Sequence, residues 1–301
     1  MKINYKSSLL HHYTSIDTLS IILKNRTIKL NRLDNSNDPL EFNAQDIDNF
    51  GKFIFYSSWT GLQEESIPMW KLYCKGDLKN GVRISLPKYF YKLWHHNYNE
   101  PKMYNQLSWD DIPSDQSKGV ISIMPLGEEI EIIKKFNLFL IYELRLNQLP
   151  FKMEYELSEK KLADQYFNHW QDKENININS LNMPSKLGRA KHARWKYEKE
   201  FRYLVELRHN ELIPRANIYN EELSAVRENF IERAKKYIPK WQELFLHIHD
   251  LAFKNMIITL SPLANVGHEN IVQGLVKDIE SELDIKIKIK HSNLRGRVVN
   301  L

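Results

Sequence analysis

The chain has 301 residues, of which 42% are hydrophobic and 27% are charged, and its formal net charge is +5. This is the composition of a globular protein with ample chain for a core, which excludes a disordered or low-complexity protein. The single cysteine excludes a disulfide framework and a cysteine-rich zinc site. No signal peptide and no apolar run near the ~20 residues of a membrane span occurs. We therefore expect a cytoplasmic protein without membrane association.

The apolar pattern predicts short strands separated by helices and polar turns. A helix is expected directly after the first strand, because Ser15 can cap it and an apolar stripe follows. In chain order, the expected strands are 8–13, 27–30, 53–59, 81–86, 139–146, 255–260 and 285–289. The expected helices begin at 14–17 and cover 68–73, 87–99, 158–170, 221–253 with a break at Pro239, and 269–283. Loops are expected over 31–41, 100–127 and 172–185.

These elements predict an α+β fold with a mixed or antiparallel sheet and helical insertions. Neither GxGxxG nor GxxxxGK[ST] occurs in the sequence, which disfavours the Rossmann and P-loop folds. The length is compatible with one large domain or with two.

The stretch 198–207 alternates between apolar and charged residues, as a half-buried strand does. Residues two apart on a strand point the same way, so Glu198 and Glu200 are expected to present two carboxylates at one place. Like charges this close are costly unless a cation or a chemical task occupies the site, and Arg202 follows on the same face. The charge pattern alone favours the other interpretation, a solvated edge strand balanced by neighbouring lysines.

Two histidine pairs are candidates for ligand contacts. His11-His12-Tyr13-Thr14 ends the first strand, where histidine can bind a ribose or phosphate and tyrosine can stack on a flat ring. A pair of half-buried rings is the equally good structural interpretation. His247 and His249 are expected on a helix, where residues two apart diverge, so no metal site is expected.

Two basic stretches are candidates for nucleic-acid contact. The aromatic and basic run 88–96 could stack bases and bind phosphates, but its spacing also suits an ordinary amphipathic helix. The basic tail over 286–297 could attract an anionic partner, but lysines on an outer strand also protect a sheet edge from aggregation.

Four short motifs in a fixed order resemble a widespread bacterial family of unknown function. Its members open with a HYTS-type strand, carry an R-L-x(n)-NDPLE turn and later show W-x-YEKEWR. The matching stretches here are 12–15, 32–41, 69–73 and 195–202, and the similarity runs from about residue 10 to about residue 280. Phe201 replaces the family's usual tryptophan, and residues 87–127 follow no pattern of the family.

That family in turn resembles ADP-ribosyltransferases of the diphtheria-toxin-like and nucleic-acid-modifying kinds. The resemblance implies a split, mixed or antiparallel sheet with helical insertions. It also implies a single domain over 1–301, with insertions near 87–127 and 211–253. Glu198-Lys199-Glu200 is similar to the E-x-E pair of arginine-specific transferases as well, although the first strand of those enzymes carries arginine.

The resemblance assigns roles to individual residues. It implies that Glu200 is the catalytic glutamate and that Glu198 orients the ribose or deprotonates the acceptor. His12 is then expected to hold the NAD ribose, with Tyr13 or Tyr73 beside the nicotinamide. The remaining expected contacts to NAD come from Thr14, Arg32, Trp70 and Arg202, with both arginines as candidates for the diphosphate. Asn37 and Asp38 are expected to shape a turn or to contact the acceptor.

The expected function is therefore NAD-dependent ADP-ribosyl transfer without a metal. By analogy the protein is a bacterial toxin of a toxin–antitoxin or phage-defence system, which implies an antitoxin protein as partner. The expected acceptor is a nucleic acid, with RNA favoured over DNA and a protein acceptor less favoured. An NAD glycohydrolase, or a non-catalytic nucleic-acid- or protein-binding regulator that kept the fold, are the alternatives.

Overall fold

The computed structural model describes residues 9–42, 49–74, 77–97, 104–107, 119–122, 138–141, 150–162, 187–209, 223–239 and 241–298. The strands are β1 Leu9–Ser15, β2 Thr27–Arg32, β3 Ile54–Thr60, β4 Gly81–Pro87, β5 Leu93–Asn97, β6 Tyr104–Leu107, β7 Gly119–Ser122, β8 Leu138–Ile141, β9 Phe151–Lys152, β10 Glu154–Glu156, β11 Ala190–His192, β12 Glu200–His209, β13 Glu243–His247, β14 Ile257–Leu260 and β15 Lys288–His291. The helices are α1 Ile16–Asn25, α2 Ile67–Tyr73, α3 Glu159–Leu162, α4 Leu223–Lys236, α5 Asp250–Lys254 and α6 Val266–Leu283.

One large sheet organises the described part of the chain. Its strand order is β13-β2-β3-β1-β4-β14-β15, and β12 pairs with the other side of β3 and with β8 and β9. The pairings within it are antiparallel except for that of β14 with β15, which is parallel. The expectation of an α+β protein with a mixed, mainly antiparallel sheet is thus confirmed. Two smaller sheets, β10-β11 and β6-β5-β7, lie outside the large one.

The large sheet has one apolar and one polar face, because side chains alternate along each strand. The apolar face belongs to the main core, where Trp59, Ile84 and Tyr203 pack in one cluster with residues of α1 and α6. Ser15 caps α1 through its side chain, as the sequence predicts, and α1 buries Leu19, Ile22 and Leu23 in that core. The opposite face carries the polar residues of the same strands, which are nonetheless buried: His11, Thr60, Arg83, Glu200 and Arg202.

Several sequence-based predictions of secondary structure are wrong. Residues 243–247 form β13 and not a helix, because Leu244 and Leu246 alternate inward against the edge of β2. The predicted helix over 87–99 is instead a turn followed by β5, and Phe90 and Tyr91 lie in the core. Part of the predicted loop over 100–127 forms β6 and β7, which pair with β5.

Other predictions fall partly or wholly outside the described residues. These are the strand residues 142–146, the helix residues 163–170, the loop 172–185 and residues 211–222 of the insertion predicted near 211–253. Among the described helices, none combines the length and the apolar character that crossing a membrane requires. The same part of the chain holds no group of three or more histidine, cysteine or acidic side chains arranged to bind a metal ion.

Candidate functional site

A pocket lies where β1 and β3 part, and we call it the junction pocket. The two strands share a single paired position, His11 with Thr60, while β1 pairs with β4 along its whole length. The pocket has about 330 Å³ of empty space, including the part open to solvent. Its lining comprises His11, His12, Tyr13, Ser58, Trp59, Thr60, Met69, Tyr73, Glu198 and Glu200. The first strand, the third strand, α2 and the start of β12 therefore meet at one site.

His12 bridges the two strands where their backbone pairing ends. Its Nδ1 lies 2.9 Å from the carbonyl oxygen of Ser58, and its ring lies 5.2 Å from the ring of Trp59. A carbonyl oxygen only accepts, so Nδ1 carries the proton and donates, which leaves Nε2 as an acceptor. Burial lowers the pKa of His12, which favours this neutral form. His12 is therefore prepared to accept a hydrogen bond from a hydroxyl group.

Glu198 and Glu200 converge as the sequence predicts, but for a different reason. Glu198 is the last residue of a 3-10 turn over Ala193–Glu198, and only Glu200 belongs to β12. Lys199 between them has a left-handed backbone with φ of 42°. The Nζ of Lys191 lies 2.8 Å from Oε2 of Glu198 and 3.3 Å from Oε2 of Glu200. The turn and the shared lysine, and not strand alternation, bring the carboxylates together.

The interpretation of this stretch as a solvated edge strand is wrong. Glu198 is 2% exposed and Glu200 is 3% exposed. The strand β12 is also not an edge here, because it pairs with β3 on one side and with β8 and β9 on the other.

Five charged side chains form a buried cluster behind the pocket, which we call the ion cluster: Glu41, Lys191, Glu198, Glu200 and Arg202. Arg202 places Nη1 2.6 Å from Glu41 and Nε 2.6 Å from Glu200. Lys191 also reaches Glu41, at 3.3 Å. With all groups ionised, three carboxylates face two cations, so the cluster carries one surplus negative charge. Groups this deeply buried persist only when they are paired.

The environment drives the pKa values of the two glutamates in opposite directions. Burial alone raises the pKa of Glu200, but Arg202 and Lys191 outweigh it and hold the pKa at about 2. Burial raises the pKa of Glu198, and the charge of Glu200 adds to this against the opposing effect of Lys191. Two carboxylates whose pKa values are separated in this way can take different roles, one as a fixed charge and one as a proton carrier.

Hydroxyl groups fix the positions of both carboxylates. Tyr73 donates its hydroxyl hydrogen to Oε1 of Glu198, and Ser58 donates to Oε1 of Glu200. Burial and the neighbouring Glu198 raise the pKa of Tyr73, so its phenol remains a donor. The hydroxyl oxygen of Tyr155 accepts from the backbone N–H of Glu200 at 2.9 Å. The carboxylates are thus held before any ligand arrives, which is the property that a preorganised electrostatic site needs.

Other residues that the sequence associates with NAD lie outside the pocket lining. Arg32 binds Asp34 and, at 3.0 Å, Gln242. Trp70 is fully buried and donates to Glu65 at 3.1 Å, and Thr14 is buried as well.

Three further residues of the expected set are placed as follows. Tyr13 lines the pocket, but its hydroxyl accepts from the backbone N–H of Ser66 at 3.1 Å. Arg202 is 1% exposed, and its charge is taken up by the ion cluster. Asn37 and Asp38 line a separate cleft.

Sequence reasoning missed several members of the site. No sequence pattern singles out Lys191, and Glu41 appears only within the turn motif over 32–41. Ser58 and Tyr155 carried no signal at all. The one usable clue was charge balance, because buried glutamates that converge require a cation nearby. Which lysine supplies it depends on β11, which is brought beside Glu198 by its parallel pairing with β10.

Comparison of the chain with known protein families, with characterised proteins and with solved structures gives no match.

Proposed function

We propose that the protein is an NAD-dependent ADP-ribosyltransferase whose reaction takes place in the junction pocket. One observation carries the proposal. Glu198 and Glu200, with pKa values driven apart, lie together at a pocket that opens where β1 leaves β3, and His12 lines the same pocket. The single paired position between these strands is compatible with the split sheet that the resemblance implies.

The surplus negative charge suits a reaction that develops positive charge. Cleavage of the nicotinamide–ribose bond gives the ribose oxocarbenium-like character, as in glycoside hydrolysis. The depressed pKa of Glu200 keeps its carboxylate ionised throughout the neutral range. Its contacts with Arg202, Lys191 and Ser58 hold it in place, so stabilisation of the transition state needs no reorganisation.

The residues around the pocket fit the chemical groups of NAD. The acceptor Nε2 of His12 can take a hydrogen bond from a ribose hydroxyl, and Trp59 and Tyr73 offer flat apolar surfaces beside it. Arg83 pairs with Tyr13 across β1 and β4 and is 3% exposed. Its Nε has no hydrogen-bond partner among the described residues. The contacts of Arg83 within this part of the chain are with Gln63 and Tyr13, and none is with a carboxylate. Arg83 thus places a buried positive charge beside Tyr13 of the lining, although, like Arg32 and Arg202, it does not itself line the pocket.

Glu198 is suited to move a proton. Its raised pKa brings it closer to neutrality than an ordinary carboxylate, which is what a general base requires. Lys191 and the hydroxyl of Tyr73 hold its two oxygens. In the proposed reaction Glu198 takes the proton of the acceptor, while Glu200 stabilises the ribosyl cation. The net charge of +5 favours an anionic acceptor, and we propose a nucleic acid. A bacterial toxin with a protein antitoxin is the corresponding biological role.

The test is to incubate the protein with NAD labelled in the adenylate group and to separate RNA, DNA and protein. Label in a nucleic-acid fraction is the expected result. Free ADP-ribose without labelled macromolecule identifies a glycohydrolase instead. Absence of both products refutes the proposal.

A pair of variants separates catalysis from folding. Glu200→Gln leaves two carboxylates opposite two cations, so the cluster stays balanced, and we expect a loss of about 10²–10³ in rate. Glu206→Gln is the matched control, since Glu206 is buried on the same strand but outside the pocket lining. Equal activity of both variants would place the chemistry elsewhere.

A further inference from the structure

A second cleft lies beside the ion cluster, on the surface formed by the turn at Asn37–Leu40 and the 3-10 turn that ends at Glu198. It has about 680 Å³ of empty space, including the part open to solvent. Its lining includes Asp38, His192, Arg194, Trp195 and Tyr197. None of these residues contributes to the junction pocket.

The cleft contains a buried acceptor without a partner. Asp38 is 6% exposed, and its Oδ1 accepts from the backbone N–H of Leu40 at 3.1 Å. Its Oδ2 has no hydrogen-bond partner among the described residues. A buried carboxylate oxygen in this condition is costly, and a ligand that donates to it removes the cost.

A donor stands in the same cleft. The Nδ1 of His192 accepts from the backbone N–H of Arg194 at 3.2 Å, so the ring proton lies on Nε2. The residues that line the cleft therefore include one with a free acceptor, Asp38, and one with a ring donor, His192.

Two aromatic rings offer a stacking surface. The rings of Trp195 and Tyr197 lie 6.2 Å apart and are inclined by 31°, and Tyr197 is 39% exposed. Lys191 already places its Nζ over the Trp195 ring, at 4.4 Å from the centroid. That cation reduces the attraction of the ring for a second cation, and Arg194 adds another positive charge at the cleft. A neutral, flat ring next to an anionic group fits better than a guanidinium or an ammonium group.

We infer that this cleft binds an unpaired nucleobase within a single-stranded nucleic acid. Each base has a donor beside an acceptor, an exocyclic amino group in adenine, cytosine and guanine and N3–H in uracil, so the donor can serve Asp38 and the acceptor His192. The base stacks on Trp195, and Arg194, which is exposed and pairs with Glu159 at 3.6 Å, lies close enough to the cleft to meet a phosphate. The assignment of this cleft as the binding site of the acceptor rests on the proposed function. Lys191 links the two sites, because its Nζ contacts both the Trp195 ring and the carboxylates of Glu198 and Glu200.

The test measures binding in the absence of NAD, at one fixed salt concentration. A short fluorescein-labelled single-stranded RNA is compared with the same RNA hybridised to its complement, in which the base edges are paired and stacked. We expect fluorescence anisotropy to show about 10-fold tighter binding of the single strand. Equal or tighter binding of the duplex overturns the inference.

Variants of the cleft make the test specific. Asp38→Asn keeps an oxygen for the N–H of Leu40 but turns the free acceptor into a donor, so the preference for the single strand should be lost. Trp195→Ala should weaken binding of the single strand about 10-fold, and Trp195→Phe should restore most of this. Unchanged binding in both Asp38→Asn and Trp195→Ala overturns the inference. Displacement of the RNA by an arginine-containing peptide, abolished by Asp38→Asn, overturns it in favour of a protein ligand.

Failure of this inference is distinguishable from failure of the proposed function. Binding that is selective for the single strand, by a protein that never cleaves NAD, leaves the cleft in place and refutes the transferase. Cleavage of NAD that depends on Glu200, without selective binding of the single strand, does the reverse.

Discussion

Lys191 is the residue whose removal tests the ion cluster most directly. Lys191→Met keeps an aliphatic side chain of similar length but leaves three buried carboxylates with Arg202 as their only cation among the described residues. Breaking a buried pair by removing one partner typically costs about 3–5 kcal/mol of stability. Burial raises the pKa of Glu200, yet the cations beside it hold that pKa at about 2, so their attraction more than offsets the cost of burying the carboxylate. We therefore expect Lys191→Met to lose about 3 kcal/mol or more at neutral pH.

The loss should depend on pH in a defined direction. Glu200 has a depressed pKa in the folded state, so its pairing stabilises the protein above the unfolded pKa and loses effect as pH falls towards about 2. The difference between wild type and Lys191→Met should accordingly be largest above about pH 5 and should shrink in acid. Urea unfolding followed by tryptophan fluorescence measures it at each pH.

A matched control and a rescue complete the experiment. Lys196 is exposed in the same segment, so Lys196→Met should change stability by no more than about 0.5 kcal/mol. Adding Glu198→Gln to Lys191→Met removes one unpaired carboxylate and should restore part of the loss. The reasoning is refuted if Lys191→Met behaves like Lys196→Met, or if its loss is independent of pH.

Three further outcomes are expected. Tyr73→Phe removes a hydrogen bond that lowers the pKa of Glu198, so that pKa should rise. The acid limb of the pH–rate profile for NAD cleavage should then move to higher pH, and an unmoved limb contradicts the assigned contact. Gly188→Ala forces a side chain into a left-handed backbone with φ of 72° against Leu33 and Leu204, and it should cost more in thermal unfolding than Gly296→Ala, where φ is 73° and nothing lies within 4 Å. Burial raises the pKa of Cys74 to about 12, so a thiol reagent at pH 8 should modify the native protein only as fast as it unfolds, and rapid labelling contradicts this burial.

Local patterns in the sequence predict the regular elements well where burial follows one period. The Ser15 cap and the stripe behind it predict α1, and the mainly apolar and aromatic stretch over 53–59 predicts β3. The prediction of a helix fails at 243–247. Leu244 and Leu246 alternate there as in a strand, but the segment follows a true helix, and the predicted helix is extended through it. It fails again at Phe90 and Tyr91. Closely spaced aromatic residues occur both in amphipathic helices and in buried turns, so their presence does not distinguish the two.

The sequence by itself determines that two glutamates stand two residues apart before an alternating strand, and that His12 and Tyr73 belong to segments near a candidate site. These facts depend on local order along the chain. It does not determine whether the glutamates are solvated or buried, and the charge pattern favours the wrong answer.

Only the tertiary structure decides this, because the burial of Glu198 and Glu200 depends on how the fold assembles Lys191, Arg202 and Glu41 around them. Arg202 needs Glu41 from the turn after β2, and Lys191 needs β11 to pair with β10. The pKa values then follow from the number and distance of charges within a few ångströms, a three-dimensional quantity that linear spacing does not contain. The same packing keeps Arg32 and Trp70 out of the pocket lining.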